Sequence, residues 1–307
     1  MNVLVVAEES AGIQVVRMLT ASEHRIVGVL TAPPTRGGGA TVADVAAGLG
    51  LQVLASERVR DPALAAWVRS EGVDLLLNVH SLFVIDREIV AAPAIGSFNL
   101  HPGPLPEYAG LNVPSWAIYN GERAHGVTLH WMEASIDTGP IAFEDRFPVS
   151  DDETGLSLSA RCVRQGLPLI AALLDAAANG HGSIPAKAQD LGARRYFGRD
   201  VPDEGRIVWS RPASRVGAFI RACDYLPFAS PWGHPTARLG EQDISILAAT
   251  CTGSRTTAEP GTVGTVGDEG ALVSTADEWI LIRRVRVSGA GVEPREVLRP
   301  GSRFEAP

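Results

Sequence analysis

Lysine is almost missing from this chain of 307 residues: Lys187 is the single lysine, and the other 26 basic residues are arginine. Its neighbours are Ala186 and Ala188, so the chain contains no Gly-Lys-Ser/Thr phosphate-binding loop. Schiff-base chemistry, including that of pyridoxal phosphate, would depend on this one side chain. The composition therefore argues against both of these enzyme classes.

Cysteine is also scarce: Cys162, Cys223 and Cys251 lie far apart and form no Cys-x-x-Cys pair. An odd, sparse set of this kind indicates a reducing compartment and no structural zinc site, and we predict no metal. No apolar run approaches the roughly 18–20 residues that cross a bilayer. The N-terminus lacks the basic lead of a signal peptide. We therefore expect a soluble cytoplasmic protein with no membrane segment.

Length and charge suggest two domains. Apolar residues make up 45% of the chain and charged residues 20%, which is ordinary for a globular protein and excludes disordered and collagen-like classes. At about 100–200 residues per domain, the length corresponds to two domains. Residues 1–205 carry 15 basic and 24 acidic side chains, whereas residues 206–307 carry 12 and 11. We predict domains at 1–178 and 206–307, joined by a linker at 179–205.

The first half of the chain alternates between strand-like and helix-like patterns. Apolar runs at Val3–Ala7, Arg25–Thr31 and Asp74–His80 predict strands. Val42–Gly50 predicts a helix, and Pro33–Gly39 predicts a loop. Repeated strand–helix units indicate an α/β fold with a Rossmann-like, doubly wound parallel sheet. Two acids, rather than Gly-x-Gly-x-x-Gly, follow the first strand, so NAD or FAD binding is disfavoured.

The last hundred residues have a different pattern. Pro212–Arg221 has helical spacing, and short strand-like runs separated by glycine-rich turns follow it. These runs are Asp243–Leu247, Gly261–Val266, Ala271–Ser274 and Trp279–Val287. Short strands at such spacing predict a small OB-like β-barrel after the parallel-sheet domain.

Residues suited to catalysis are densest between positions 95 and 141. Asn99 and His101 stand two apart at the end of a predicted strand, so their side chains point to the same face. Asp137 lies in the turn after the strand Gly126–Met132. An amide donor, an imidazole and a carboxylate suit acyl-type group transfer, with Asn99 as oxyanion donor, His101 as second donor or acid/base, and Asp137 as orienting or proton-relaying group. The same pattern also fits a capping asparagine, a buried structural histidine and a turn acid.

The segment Phe98–Gly110, which reads FNLHPGPLPEYAG, and the Asp137-Thr138-Gly139 turn carry a family resemblance. They resemble the folate-dependent formyltransferases, whose hallmark is Asn-x-His followed by an aspartate about 36 residues later. Asn99, His101 and Asp137 match that hallmark one by one. Segments near Tyr196–Arg199 and Pro260–Val263 resemble the two-domain, methionyl-tRNA formyltransferase-like members. The resemblance implies catalytic roles for all three residues.

The resemblance also implies 10-formyltetrahydrofolate as the formyl donor. Its pocket should be formed by the loop after the Asp74–His80 strand and by the Ala134–Asp137 turn, whose apolar side chains would enclose a flat pterin. The predicted donor-binding residues are Leu82, Phe83, Val84, Ile85, Ala134 and Ile136.

The acceptor is predicted to be a small-molecule amine, free or bound to a carrier protein. The tRNA-specific members usually carry arginine where Ala109 stands, and binding of phosphates needs positive charge. This chain has a pI of about 5.4, and nucleic acid is disfavoured as a partner. The loop Gly110–Trp116 resembles that of formyltransferases of peptide natural-product and siderophore pathways. The predicted acceptor contacts are Glu8, His80, Tyr108 and Asn112.

Two further candidates and several functions stay open. Asn78 and His80 form a second Asn-x-His pair, either at the pocket edge or capping a strand, and we interpret His130 as a structural residue.

The predicted function is N-formylation of an amino acid, a hydroxyornithine-like compound or an amino sugar. The alternatives are a methionyl-tRNA formyltransferase, a formyltetrahydrofolate hydrolase and an idle folate- or partner-binding module. The oligomeric state is open.

Overall fold

A computed structural model describes residues 1–33, 39–180 and 183–307. The chain forms two compact units whose segments alternate along the sequence. The first unit comprises Met1–Gly110, Gly126–Phe147 and Ala160–Tyr196, and the second comprises Leu111–His125, Pro148–Ser159 and Phe197–Pro307. The predicted domain bounds 1–178, 179–205 and 206–307 stay a prediction. The loop predicted at Pro33–Gly39 lies mostly outside the described residues.

Fifteen strands and eight α-helices are present in the described parts of the chain. The strands are β1 (Asn2–Ala7), β2 (Arg25–Thr31), β3 (Val53–Ala55), β4 (Leu75–Val79), β5 (Gly96–His101), β6 (Ala109–Gly110), β7 (Ala124–Trp131), β8 (Ile141–Pro148), β9 (Tyr196–Phe197), β10 (Thr236–Leu239), β11 (Gln242–Arg255), β12 (Val263–Gly267), β13 (Gly270–Ser274), β14 (Glu278–Val287) and β15 (Ala290–Val292). The helices are α1 (Glu9–Thr20), α2 (Val42–Gly48), α3 (Ala63–Ser70), α4 (Arg87–Val90), α5 (Val113–Asn120), α6 (Gly155–Ala178), α7 (Ala213–Ala222) and α8 (Pro294–Val297).

A seven-stranded sheet in the order β3-β2-β1-β4-β5-β7-β8 organises the first unit. The pairs from β3 to β5 are parallel, and β5 pairs antiparallel with β7. Every residue of β4 is buried, as expected for a central parallel strand that is covered on both faces. The predicted α/β fold class with a Rossmann-like parallel sheet is therefore confirmed.

An antiparallel sheet organises the C-terminal part of the second unit. Its order is β10-β11-β14-β13-β12, with β15 paired to β14. Ile244, Ile280 and Ile282 lie in its buried core, where the rings of Trp209 and Phe304 stack with their centroids 5.1 Å apart. This antiparallel arrangement agrees with the all-β region predicted from the short strand-like runs.

Element lengths differ from the sequence prediction where the apolar pattern stops. Strand β11 runs on to Arg255, well beyond the predicted Asp243–Leu247. The prediction ended too early because the second half of the strand is exposed and carries no alternation of apolar residues. Helix α6, with Pro168 inside it, had no sequence prediction of its own. Although α6 has 24 residues, no helix in the described residues is long and apolar enough to cross a membrane.

Candidate active site

Three neighbouring strands of the first unit place polar side chains side by side. The strand register pairs Asn78 on β4 with Asn99 on β5, and Asn99 with His130 on β7. Asn78 Nδ2 donates to Asn99 Oδ1 over 2.9 Å, and Asn99 Nδ2 lies 3.1 Å from His130 Nε2. His101 follows two residues after Asn99 on the same strand, so alternation directs it to the same face. These residues form one row near the carboxyl ends of β4 and β5.

Asp137 approaches this row from the turn after β7. Its backbone is left-handed, with φ of 56°, a conformation that costs free energy for a residue other than glycine. Gln189, which follows α6 in the chain, holds the turn in place. Its Nε2 donates to the carbonyl oxygens of Asp137 over 3.1 Å and of Gly139 over 2.6 Å. The side chain of Gln189 therefore supports the backbone that presents the carboxylate.

The same turn is held at two further points. Arg194 Nη2 donates to the carbonyl oxygen of Ile136 over 3.0 Å. Gly139 packs so tightly against β7 that a Cβ at this position would stand 1.9 Å from the carbonyl oxygen of Trp131. Only glycine fits here without a shift of the backbone, because real Cβ atoms keep more than about 3 Å from such an oxygen.

Asp137 lies at the centre of a cluster that it forms with Asn99, His101 and His130. It is only 7% exposed. Its Oδ2 accepts from the backbone N–H of Gly110 over 2.9 Å and lies 3.7 Å from His101 Nδ1. Its Oδ1 lies 3.5 Å from His130 Nε2 and 3.4 Å from Asn99 Nδ2. Neither this cluster nor any other group of three or more His, Cys, Asp or Glu side chains among the described residues is arranged to hold a metal ion.

Burial and charge act on the two ionisable partners in opposite ways. Burial by itself would raise the pKa of Asp137, but the imidazoles of His101 and His130 and the N–H of Gly110 lower it more, so the net direction is downward. Burial is the largest influence on His101 and lowers its pKa, although the Asp137 charge and the Tyr108 carbonyl act against it. The site therefore combines an ionised carboxylate with an imidazole that is neutral near pH 7.

The hydrogen bonds of His101 indicate which ring nitrogen carries the proton. Nε2 lies 2.6 Å from the carbonyl oxygen of Tyr108, and a carbonyl only accepts, so Nε2 bears the hydrogen of the neutral ring. Nδ1 then has a free lone pair and faces Asp137 Oδ2 at 3.7 Å. A proton taken up at Nδ1 would be stabilised at once by the carboxylate. This geometry suits His101 to accept a proton and return it.

Comparison with protein families identifies the chain. The formyl transferase model matches residues 1–173, and the model of the formyl transferase C-terminal domain matches residues 201–299. This chain belongs to the formyl transferase family. A methionyl-tRNA formyltransferase from Roseiflexus castenholzii is 31% identical to it over 295 residues, 94% of this chain and 91% of the relative. One from Herpetosiphon aurantiacus is 30% identical over 270 residues, 86% of each chain.

Solved structures share the fold of this formyltransferase at low identity. The N-formyltransferase from Helicobacter canadensis, in complex with folinic acid and dTDP-3-aminofucose, aligns with a TM-score of 0.69 and 16% identity, over 92% of this chain and 99% of that one. WlaRD, a sugar 3N-formyltransferase, aligns with a TM-score of 0.70 and 15% identity, over 94% and 98%. The family consists of folate-dependent enzymes that transfer formyl groups, and this chain is one of them.

Two loops of the formyltransferase present exposed apolar side chains. Leu82 and Val84, in the loop after β4, are 74% and 62% exposed, and Ile136, the neighbour of Asp137, is 46% exposed. Ala134 is exposed as well. Large apolar side chains are normally withdrawn from water, so their exposure here leaves them accessible to an apolar ligand. These four predicted donor-binding residues have accessible side chains.

The other two predicted donor-binding residues are used differently. Ile85 is buried in the core beneath the sheet, and Phe83 is half-buried against the same core. The guanidinium of Arg60 lies over the ring of Phe83, 5.3 Å from its centroid. The side chain of Ile85 therefore packs inward, which leaves its backbone as the group that this position can offer to a ligand.

Two predicted acceptor contacts, Glu8 and His80, already have partners in the first unit. The carboxylate of Glu8 accepts from the N–H of Ala32 over 2.7 Å and from the hydroxyl of Thr31 over 3.1 Å, so it holds the end of β2. His80 Nδ1 lies 3.4 Å from Glu9 Oε2. Its backbone is left-handed, with φ of 54°. The Glu9–His80 pair thus stands at the carboxyl ends of β1 and β4.

The other two predicted acceptor contacts lie in different units. Tyr108, in the first unit, is buried and supplies its carbonyl oxygen to His101, and the guanidinium of Arg195 lies 4.7 Å from the centroid of its ring. Asn112, in the second unit, precedes α5 with a left-handed backbone, φ of 54°, and its side chain makes no capping hydrogen bond. The contact of Tyr108 with His101 is made by its backbone.

Sequence reasoning did not anticipate two contacts of the candidate site. His130 was interpreted as a structural residue, and its Nε2 lies 3.1 Å from Asn99 and 3.5 Å from Asp137. The antiparallel register of β7 against β5, which puts His130 opposite Asn99, is the signal that could have found it. Gln189 fell in the predicted linker, and no local pattern marks it as a support of the Asp137 turn.

Proposed function

We propose that this enzyme moves the formyl group of 10-formyltetrahydrofolate to an amine or hydroxylamine nitrogen of a small metabolite. The observation that carries the proposal is the convergence of half-buried Asn99 with buried His101 and Asp137 in one cluster, with a downward-shifted carboxylate pKa. An amide N–H, a proton-accepting imidazole and a fixed negative charge are the groups that formyl transfer to an amine requires.

The roles of the three residues follow from their hydrogen bonds. The folate co-substrate supplies the formyl carbon when it is bound. Asn99 Nδ2 offers an N–H to the formyl oxygen as negative charge develops there. His101 Nδ1 accepts the proton that the attacking nitrogen gives up, and then returns it to the departing nitrogen, so the proton count balances. Asp137 stays ionised throughout and stabilises the imidazolium that forms between these two transfers.

The exposed apolar loops support folate as the donor. Leu82, Val84 and Ile136 offer accessible apolar side chains, and a flat pterin buries its faces against such groups while backbone groups pair with its edge. Ile136 directly precedes Asp137, so a ring held there would stand beside the catalytic carboxylate. The residues present therefore fit the co-substrate that the family uses.

Charge supports a small acceptor. The chain has a net charge of −8, and its last 102 residues carry nearly equal numbers of basic and acidic side chains. A tRNA acceptor would have to be held by side chains that neutralise phosphates, with an affinity that falls steeply with salt. The structural neighbour from Helicobacter canadensis, which was solved with dTDP-3-aminofucose, provides a precedent for an amine acceptor on a small molecule.

A second candidate function is formylation of methionyl-tRNA. It is favoured by the 31% identity, over 94% of this chain, to a relative of that name. The two candidates share the donor and the catalytic cluster and differ only in the acceptor. A gel-shift titration with initiator tRNA at low and physiological salt separates them, because tRNA binding through phosphates loses affinity as salt rises.

The experiment that tests the proposal is an absorbance assay of tetrahydrofolate release. The enzyme receives 10-formyltetrahydrofolate together with pools of amino acids, ornithine and N-hydroxyornithine, nucleotide-linked amino sugars, or methionyl-tRNA. Release that requires one small amine supports the proposal and identifies the acceptor. Release only with methionyl-tRNA supports the second candidate. Release with no acceptor indicates a hydrolase, and no release despite folate binding indicates a binding module; both outcomes contradict the proposal.

Alanine variants test the assigned roles. Asn99→Ala, His101→Ala and Asp137→Ala should each lower kcat by at least about 100-fold, the scale of one lost oxyanion donor. Asp151→Ala is the matched control, because its carboxylate is exposed and pairs with exposed Arg123 in the second unit. Near-normal rates for all three cluster variants would show that the active site lies elsewhere.

A further inference from the structure

The amide of Asn99 has a hydrogen-bonding neighbour at each end. Asn78 on β4 donates to its oxygen, and His130 on β7 lies at its nitrogen. We propose that Asn78 and His130 are positioning residues that fix the orientation of the Asn99 amide, so that its N–H rather than its oxygen is presented to the formyl group. This inference rests on the proposed function of Asn99 as an oxyanion donor.

We call the hydrogen-bonded set of Asn78, Asn99 and His130 the amide lock. The direction of its hydrogen bonds is set by His130. Its Nδ1 lies 2.7 Å from the carbonyl oxygen of Trp131, which can only accept, so in the neutral ring Nδ1 carries the hydrogen and Nε2 has a lone pair. That lone pair accepts from Asn99 Nδ2 at 3.1 Å. The carboxylate of Asp137, 3.4 Å from the same nitrogen, also only accepts. If the amide were reversed, its oxygen would face two acceptors.

Asn78 completes the lock from the other side. Its Nδ2 donates to Asn99 Oδ1 over 2.9 Å, which satisfies the oxygen in the orientation that His130 and Asp137 require. Register places Asn78 directly beside Asn99, and the residue is buried within the sheet. A buried polar side chain costs free energy unless it is hydrogen-bonded. An apolar residue would fill this place in a parallel strand at lower cost, so the amide of Asn78 points to a role beyond packing.

The two contacts of Asn99 Nδ2 also differ in strength. The contact with His130 Nε2 is 3.1 Å, whereas that with Asp137 Oδ1 is 3.4 Å, near the limit for a hydrogen bond. The N–H directed at Asp137 is therefore the more weakly held one and the donor that a formyl oxygen placed there can use, while the other stays bonded to His130. The lock thus leaves one donor for catalysis and fixes the plane of the amide.

Matched variants separate the lock from general packing. Asn78→Leu removes the donor but keeps the number and branching of the side-chain heavy atoms, and His130→Leu removes the acceptor. His130→Gln keeps an acceptor oxygen within reach of Asn99 Nδ2. Ser97→Ala is the control on the same strand as Asn99. It removes a buried hydroxyl whose 2.7 Å hydrogen bond goes to the carbonyl oxygen of Val90 and not to a residue of the cluster. Thermal unfolding of each variant reports whether it folds.

The first readout needs no acceptor. In the ¹⁵N–¹H spectrum of the full chain, the side-chain NH₂ signal of Asn99 is the one that disappears in Asn99→Ala. In Asn78→Leu and His130→Leu we expect its two proton shifts to move towards those of a free asparagine and its solvent exchange to accelerate. In His130→Gln and Ser97→Ala we expect it to stay close to the wild-type position. Unchanged Asn99 signals in both leucine variants would overturn the proposal.

The second readout is kinetic, with the acceptor found in the release assay. Asn78→Leu and His130→Leu should lower kcat by about 10- to 100-fold, up to the loss of one oxyanion donor, while KM for 10-formyltetrahydrofolate stays within about threefold. His130→Gln should recover most of this loss. In the Asn99→Ala background, either leucine substitution should have no further effect, because coupled residues are not additive. A full additional loss in that background would overturn the lock.

These measurements distinguish failure of the inference from failure of the proposed function. If Asn99→Ala has near-normal kcat, the catalytic assignment of Asn99 is wrong, whatever the spectra show. If Asn99→Ala is inactive but both leucine variants retain wild-type kcat and the wild-type Asn99 signal, the amide is catalytic and the lock is wrong. The inference stands only when the spectra and the rates change together.

Discussion

Replacing Gly139 by alanine is expected to perturb the candidate active site through one methyl group. A Cβ at Gly139 would stand 1.9 Å from the carbonyl oxygen of Trp131, and real Cβ atoms essentially never approach closer than 3.0 Å. The turn must therefore move by at least about 1 Å. Because this turn presents the Asp137 carboxylate, its 3.7 Å and 3.5 Å contacts with His101 and His130 change by a similar amount.

The size of the effect follows from this displacement. Forcing extra atoms into a packed site costs about 1–3 kcal/mol, which corresponds to a fall in Tm of about 2–12 °C for a domain of this size. A misplacement of about 1 Å in a catalytic constellation can cost about 100-fold in rate. We therefore expect Gly139→Ala to fold with lowered Tm and to lose about 100-fold in kcat, a larger loss than its stability change explains.

The assay compares Gly139→Ala with Gly48→Ala by thermal unfolding and by tetrahydrofolate release. A Cβ at Gly48, at the end of α2, would meet nothing within 4 Å, so this control should keep wild-type kcat and Tm or gain slightly in stability. If Gly139→Ala keeps kcat within about threefold and an unchanged Tm, the close approach to Trp131 does not position Asp137, and the reasoning fails.

Three further predictions concern the support, the protonation and the donor side of the site. Gln189→Leu leaves the carbonyl oxygens of Asp137 and Gly139 without their donor, at about 1–3 kcal/mol for each buried group, so Tm and kcat should both fall; equal values for wild type and variant would contradict this role. Because burial lowers the pKa of His101, the unfolded chain binds its proton more readily, and the free energy of unfolding should fall as the pH decreases through about 6.5; urea titrations at pH 8 and pH 5.5 should show a smaller fall in His101→Gln than in wild type. Ile136→Asp adds a charge to the exposed apolar surface and should weaken tetrahydrofolate binding by at least about tenfold in a fluorescence titration, since a charge is costly to bury against an apolar ring; unchanged affinity would place the donor elsewhere.

The sequence by itself determined the features that depend on local periodicity. Continuous apolar runs such as Leu75–Val79 predicted parallel strands because both faces of such strands are buried. The spacing of Asn99 and His101 placed both side chains on one face because successive residues of a strand alternate. The motif and its aspartate 36 residues later indicated the family before any distance was known.

Only the tertiary structure decided which distant residues complete the cluster. His130 stands opposite Asn99 because β7 pairs antiparallel with β5 in one particular register, and no local pattern states a register. Gln189 reaches the Asp137 turn from a segment 52 residues further along the chain. The pKa directions of His101 and Asp137 arise from burial and from partners that the fold brings together, because solvent exclusion and proximity are properties of packing rather than of sequence order.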